Sequence, residues 1–525
     1  MIENQPVIIG VDAGTSVIKA VAFSISGQQL AVSSVRNSYA LSADGAATQS
    51  MAQTWEDCAK AISGLGQQID RLAPHVVAVS VTGQGDGTWL VGAGNEPVSD
   101  AWLWLDGRAA PTVDMLKSRD CDAERFAATG TGLNTCQQGS QMAHMLAHHP
   151  ELLAGAEAAL HCKDWIYLNL TGVRATDPSE ASFTFGDFRT RAYSDMVIDA
   201  LGLDANRALL PDIVDGTEVM HPLTATAAKS TGLLPGTPVS LGYVDMVMTA
   251  LGAGVHTGED GVACSAIGST GVHLRSVAAE DVHLNDARTG YVICLPVAGR
   301  VTQVQTNMAA TLNVDWALDM AADILEQFGE VPCRSDIIAQ IDSWLSETAA
   351  GGLIFHPYIS EAGERGPFLD ANARASLIGL QSGHRFAHVI RAVVEGLAMA
   401  ARDCYAAMGS LPAELRVTGG AARSAAMRGV LAGALGSSTC VSLREETGAA
   451  GAAMMAAVGI GAYPDMEACI EDWVRPYLGA PEAPDPELIA VYDSLFETYR
   501  AAREALPPIW SGLSEHRSAH VRRSV

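Results

Sequence analysis

The chain has 525 residues, 48% of them hydrophobic and 18% charged, a balance that excludes disorder and a length that exceeds one ordinary core. Its formal charge of −26, from 59 acids against 33 lysines and arginines, repels nucleic-acid phosphate and anionic lipid, so neither is expected as a partner. Ten cysteines with no CxxC pair argue against a zinc site or a disulfide framework and fit a reducing, cytoplasmic setting.

Met1-Ile2-Glu3-Asn4 shows no basic region or cleavage site, so no leader is read there. Three strands are predicted next: the apolar run Val7 to Val11, then Val17 to Phe23, then Gln29 to Val35. Between the first two stands Asp12-Ala13-Gly14-Thr15-Ser16, with Lys19 beyond. Gly14 lets a phosphate approach backbone N–H groups without a Cβ in the way, and the Thr15 and Ser16 hydroxyls add donors. Asp12, at the strand end, is the candidate to hold Mg²⁺ through water, since that ion keeps much of its hydration shell. The same turn chemistry also closes ordinary hairpins.

Residues 54–67 read as an amphipathic helix and Val76 to Val81 as a buried strand leading into Gly83-Gln84-Gly85-Asp86-Gly87. That turn lacks the spacing of a dinucleotide fingerprint. None of the five lysines (Lys19, Lys60, Lys117, Lys163, Lys229) follows a glycine, so a P-loop is absent too.

The pattern then restarts. Gly261 to Ile267 and Val272 to Val277 are strand-like around Gly268-Ser269-Thr270-Gly271, a second turn of phosphate-binding character. Helices are predicted at 386–408 and 423–435, and a strand at Glu414 to Val417. Thr447 to Pro464 carries no charge, but its Ala, Gly and Met composition suits a tightly packed buried helix better than a membrane span. The echo between the halves implies two related α/β domains facing each other: residues 1–250, residues 251–480, and a helical extension at 481–525 whose last ten residues, with Arg517, Arg522 and Arg523, are expected to fray.

The chain resembles the FGGY family of carbohydrate kinases from about residue 7 to residue 463. The most specific match is Ala375-Ser376-Leu377-Ile378-Gly379-Leu380 followed, after seven residues, by His388-Val389-Ile390-Arg391-Ala392-Val393-Val394-Glu395. Phe355-His356-Pro357-Tyr358, Gly363-Glu364-Arg365-Gly366-Pro367, Trp104-Leu105-Asp106-Gly107-Arg108, Gly242-Tyr243-Val244-Asp245, Thr418-Gly419-Gly420-Ala421 and Glu446-Thr447-Gly448-Ala449-Ala450-Gly451 also stand in family order. The resemblance implies a two-domain actin–hexokinase-like (ribonuclease H-like) α/β fold with a catalytic cleft between the domains, and ATP and Mg²⁺ as cofactors. It implies Asp245 as catalytic base. ATP would be held by Asp12, Gly14, Thr15, Ser16, Lys19, Gly268, Ser269, Thr270, Gly419, Gly420, Ala421 and Ser424.

Substrate contacts are expected from Gln84, Gly85, Asp86, Trp104, Asp106, Cys136 and Asp245. Asp86 is equally readable as a turn cap, Trp104 as a core residue, and Asp106 as a partner for Arg108 alone. Glu364 and Arg365 are read as a structural ion pair, and His356, His384 and His388 as structural. Gly85 is expected to make room in the sugar site. The turn at 83–87, with Cys162-Lys163-Asp164-Trp165 and the segment at 175–181, looks most like the family members that phosphorylate erythritol. L-xylulose or another pentulose or pentitol is the alternative substrate, and a non-catalytic nucleotide-dependent sugar sensor the alternative of another class. The resemblance admits a homodimer, with no interface legible.

Overall fold

The computed structural model describes residues 5–331 and 333–521. The first half opens with β1 (Val7–Ala13), β2 (Val17–Ser24) and β3 (Gln29–Arg36). Helix α1 (Met51–Leu65) starts three residues earlier than its apolar period suggests, because Ser50 caps it by accepting the Gln53 N–H at 3.3 Å. Strands β4 (Val76–Gly83), β5 (Met220–Pro222) and β6 (Pro238–Leu241) follow, and helix α2 (Asp245–Ala253) ends the half. The sheet order is β5-β6-β4-β1-β2-β3. The β1–β2 and β2–β3 pairs are antiparallel, whereas β4 and β6 join in parallel. β1 is central and covered on both faces, which is why its sequence is a continuous apolar run and not an alternation.

The second half repeats this plan with β7 (Val262–Ile267), β8 (Gly271–Ala278), β9 (Tyr291–Cys294) and β10 (Arg300–Asn307). Helix α3 (Phe386–Ala407), strand β11 (Glu414–Thr418), helix α4 (Ala425–Leu435) and strand β12 (Ser438–Val441) complete it. Its sheet order is β9-β10-β8-β7-β11-β12, antiparallel through β10-β8-β7 and parallel through β7-β11-β12. Placed beside the first sheet, β10-β8-β7-β11-β12 corresponds to β3-β2-β1-β4-β6. The weak echo in the sequence is thus a duplicated topology, and it puts the two Gly/Ser/Thr turns at equivalent hairpins.

Helix α5 (Thr447–Gly459) is buried along almost its whole length, as its composition implies. It comes from the second half in sequence, yet it packs on β1, β4 and α2 of the first. No helix among the described residues is long and apolar enough to cross a membrane. The C-terminal extension is ordered as helix α6 (Pro486–Ala505) against α3 and α4, then Pro507–Val521. The expected fraying does not reach Arg517, which lies in that last helix; Trp510 anchors the helix by stacking on Phe368 at 5.9 Å. Arg522 and Arg523 lie outside the described residues.

Candidate active site

A cavity of about 490 Å³ is lined from both halves: Thr15, Gln84, Gly85, Asp86, Trp104, Cys136, Asp245 and Thr249 from the first, Thr270, Tyr291, Asn307, Met308 and Arg365 from the second. Seven of the expected residues therefore meet in one place with Thr270 opposite them.

Asp245 is the first residue of α2, where the helix dipole and free N–H groups favour an anion. Its carboxylate accepts the backbone N–H groups of Met246 and Gly85. Burial nevertheless pushes it up to about 8, assisted by the charge of Asp12 and then of Asp86. The turn before it is fixed from behind. Thr82 Oγ1 donates to the Tyr243 carbonyl at 2.6 Å, and the Val244 N–H donates to Ser179 Oγ at 3.0 Å. Ser179 donates in turn to Asp177, which pairs with the fully buried Lys163. Burial alone would lower the Lys163 ammonium, but Asp164 and Asp177 outweigh it and raise it, so this lysine stays charged inside the protein.

Asp12 is the penultimate residue of β1; it does not line the cavity, but its charge acts on Asp245. Among the described residues no group donates to its carboxylate, and burial raises it to about 6 against the lowering effect of Lys19. Lys19 itself pairs with Glu446 at 2.8 Å, so it braces the first turn against the 446–451 segment. Gly448 packs close beside Asp12, where a Cβ would lie 2.4 Å from Asp12 Oδ2 and move that carboxylate. A carboxylate without a hydrogen-bond donor among the described residues suits a hydrated cation, and no cluster of three or more acids, His or Cys among the described residues offers an all-protein cage.

Thr15 Oγ1 donates to Gln84 Oε1 at 2.9 Å and accepts the Trp104 Nε1–H at 2.9 Å. Gln84 Nε2 donates to Gln49 Oε1 at 2.7 Å. The Gln84 amide is thus committed to the first turn, and the Trp104 ring is held with its body on the cavity. In the second turn the Gly268 N–H donates to the Thr270 carbonyl at 3.0 Å, while the carbonyls of Gly268 and Ser269 accept the Thr311 and Ala310 N–H groups. The Ser269 and Thr270 side chains are left exposed.

The expectations for Asp106 and for a Glu364–Arg365 ion pair are corrected. Asp106 is fully buried and does not line the cavity; its oxygens accept the Arg108 guanidinium, at 2.6 Å to Nη2, and the Ala47 N–H at 2.9 Å. Gly85 lines the cavity. A Cβ there would meet Val244 Cγ2 at 2.3 Å and Glu180 Oε1 at 3.3 Å, so the glycine lets the sugar-side turn close onto the catalytic turn. Glu364 and Arg365 form no ion pair: Glu364 Oε1 accepts the backbone N–H groups of Met308 at 2.9 Å and Arg365 at 2.8 Å, while the Arg365 side chain enters the cavity. Ser424 Oγ caps α4 and donates to Asp342 at 2.6 Å. Gly419, Gly420 and Ala421 stand at the end of β11, with Gly419 at φ +85° packed on the Ile267 carbonyl, outside the 490 Å³ cavity.

Asp86 sits at φ +57°, an uncommon backbone state for a residue with a side chain, and the Gly87 N–H behind it donates to the Cys136 carbonyl at 2.8 Å. Burial raises the Asp86 carboxyl, and the Cys136 thiol and Tyr291 hydroxyl oppose the rise by hydrogen bonding. Burial also pushes the Cys136 thiol well up, so it stays neutral. Tyr291 and Asn307 carried no sequence signal, lying mid-strand without a motif. His356 contacts Ser376 and the Tyr499 carbonyl, while His384 and His388 each accept a nearby backbone N–H, of Gln381 and Arg385 respectively.

Comparison with known proteins bears on this geometry. The N-terminal domain of the FGGY family of carbohydrate kinases matches residues 7–252, and its C-terminal domain matches residues 263–460. The chain is 62% identical to an erythritol kinase of Brucella abortus over 98% of this chain and 99% of that protein. It is 28% identical to a xylulose kinase of Escherichia coli over 95% and 99%. A crystal structure of xylulose kinase from Rhodospirillum rubrum superposes with a TM-score of 0.85 at 25% identity, covering 96% of this chain and all of that one. The two matched domains together span the duplicated sheets and the cleft between them, and the chain belongs to the FGGY family of carbohydrate kinases.

Proposed function

We propose that the chain transfers the γ-phosphoryl group of ATP to a terminal hydroxyl of erythritol, giving erythritol 4-phosphate, with Asp245 as general base. The observation that carries this reading is the placement of the Asp245 carboxylate in a cavity lined by both halves, with Thr15 and Thr270 of the two turns beside it. The 62% identity to the Brucella erythritol kinase, against 28% to a xylulose kinase, supports a four-carbon polyol over a pentulose.

Phosphoryl transfer asks for alignment and charge neutralisation more than for covalent help. Asp245 takes the proton of the attacking hydroxyl as its oxygen bonds to the γ-phosphorus; the bond to the bridging oxygen breaks and ADP leaves. The backbone and hydroxyls of residues 14–16 and 268–270 supply donors for the phosphates, and the Gly419–Ala421 turn supplies a surface for adenosine. Asp12 would hold Mg²⁺ through water, and that ion, when bound, neutralises phosphate charge. Asp86 and Cys136 face the polyol from the sugar side, and the Trp104 ring covers its carbon chain. ATP as a substrate and ten unpaired cysteines support a cytoplasmic setting.

Asp245→Asn keeps the fold and ATP binding and lowers kcat by about 10²- to 10⁴-fold. ADP release measured across a panel of tetritols, pentitols and pentuloses is expected to show saturable turnover with erythritol. Polyol binding without ADP release would favour a sensor, and a preference for L-xylulose would replace the substrate.

A further inference from the structure

Arg365 is an unused cation in the cavity. Its loop is held rigidly: Glu364 Oε1 takes two backbone N–H groups, Asn307 Nδ2 donates to the Gly366 carbonyl at 2.9 Å, and Thr289 Oγ1 donates to the Pro367 carbonyl at 3.0 Å. A Cβ on Gly366 would meet the Thr306 carbonyl oxygen at 2.8 Å, so the loop is also tightly packed. What this fixed loop delivers is one half-buried guanidinium, lining the cavity beside Asp86, Cys136 and Tyr291. Among the described residues that guanidinium has no hydrogen bond and no ion pair, although its charge is felt by Asp86.

Asp86 is its complement. The Cys136 thiol and Tyr291 hydroxyl act on the Asp86 carboxyl, yet its Oδ1 is buried with no hydrogen-bond partner among the described residues, on a backbone held in the left-handed region. An unpartnered buried acceptor and an unpartnered donor therefore face one space and do not close on each other. The buried Asp86 acceptor is destabilising unless something satisfies it, and the half-buried guanidinium is free to donate. A hydroxyl both donates and accepts, and two adjacent hydroxyls fill the gap between a carboxylate and a guanidinium.

We propose that Arg365 is a substrate-positioning and specificity-determining residue, donating from the second half to the hydroxyls of the polyol farthest from Asp245 while Asp86 accepts from them. This rests on the polyol kinase reading. It adds that the distal end of the substrate is read across the cleft, so that polyol binding itself draws on both halves. Substrates with a bare methyl at that end leave Arg365 and Asp86 unsatisfied and are rejected.

The test uses the full-length protein and compares Arg365→Met, Arg365→Lys and Arg365→Ala with the wild type. Substrates are erythritol and 1-deoxyerythritol, which lacks the distal hydroxyl, with ATP varied separately. Arg365→Met is expected to raise the erythritol KM about 10- to 100-fold, with the ATP KM unchanged within about twofold. The wild type should show a similar penalty for 1-deoxyerythritol, and Arg365→Met should scarcely distinguish the two substrates. Free guanidinium should restore part of the lost erythritol affinity in Arg365→Ala, and Arg365→Lys should keep part of it. An equal loss on both substrates, or a fall in kcat or ATP affinity with the erythritol KM unmoved, overturns the proposal. If the wild type ignores erythritol, the substrate reading fails on its own account, and the same comparison is made with the accepted polyol and its distal deoxy analogue.

Discussion

At the scale of single residues, Asp12 makes Asp245 harder to ionise, and burial does more. With its folded value near 8, the carboxyl is largely protonated at neutral pH in the free protein, so the base-competent fraction grows as pH rises. The rising limb of kcat/KM for the polyol is expected to lie above neutrality. Raising free Mg²⁺ should move it to lower pH, since a cation at Asp12 cancels the charge that lifts Asp245. The same shift has a stability consequence. A carboxyl at 3.8 when unfolded and about 8 when folded contributes fully below the lower value, and its contribution is lost as pH rises through the upper one. Asp245→Asn therefore has a higher thermal midpoint than the wild type at pH 9 and the same midpoint near pH 4. A variant no more stable than the wild type at pH 9 would mean that Asp245 is not strained by ionisation.

At the scale of elements, the crossing of α2 and α5 holds the two acids together. α2 begins at Asp245, and α5 begins beside Asp12 through Gly448. The helices touch backbone to backbone: a Cβ on Gly451 would sit 2.2 Å from the Met248 carbonyl oxygen, and one on Gly252 would sit 2.2 Å from that of Thr447. Gly451→Val must push the helices apart, which costs about 1–3 kcal/mol or more and separates Asp12 from Asp245. The expected readout is a lower thermal midpoint together with a fall in kcat that added polyol does not recover. Unchanged kcat in a folded Gly451→Val protein would show that the crossing does not set the site.

This crossing also shows what the sequence can and cannot reveal. The uncharged Ala/Gly/Met run marks α5 as buried, and the apolar runs mark β1 and both hairpins, because those signals are local. The start of α1 was hidden because its cap, Ser50, precedes the apolar period. Asp245 and Asp86 stand in sequence motifs, whereas Cys136 stands in none. Arg365 was legible as a motif member, but its role was not, since only the three-dimensional path of the 363–367 loop shows that its partner is the cavity and not Glu364. For Asp106 the sequence leaves open substrate contact or a pair with Arg108 alone, and the structure shows the pair.

At the scale of the whole molecule, two sheets that share a five-strand plan do not make two independent bodies. One continuous core joins Ile8, Val21 and Phe23 of the first sheet to α5 and Trp473, and runs on to Cys264, Leu274 and Tyr291 of the second. Phe23 packs on Trp473 at 5.4 Å, and the Arg444 guanidinium donates to the Gly27 carbonyl at 3.1 Å, so residues far along the chain seal the first sheet's outer corner. Cutting the chain after the first family domain removes α5 and bares the apolar face of β1 and β4 that it covers. A fragment of residues 1–260 is therefore expected to lack a cooperative thermal transition and to bind hydrophobic dyes, although it contains every strand of its sheet. The full chain should melt without an early step assignable to the first half. A fragment that melts cooperatively within a few degrees of the whole protein would show that the first sheet is self-sufficient. The catalytic turn would then owe its position to the first half alone, and α5 would serve only as a cover.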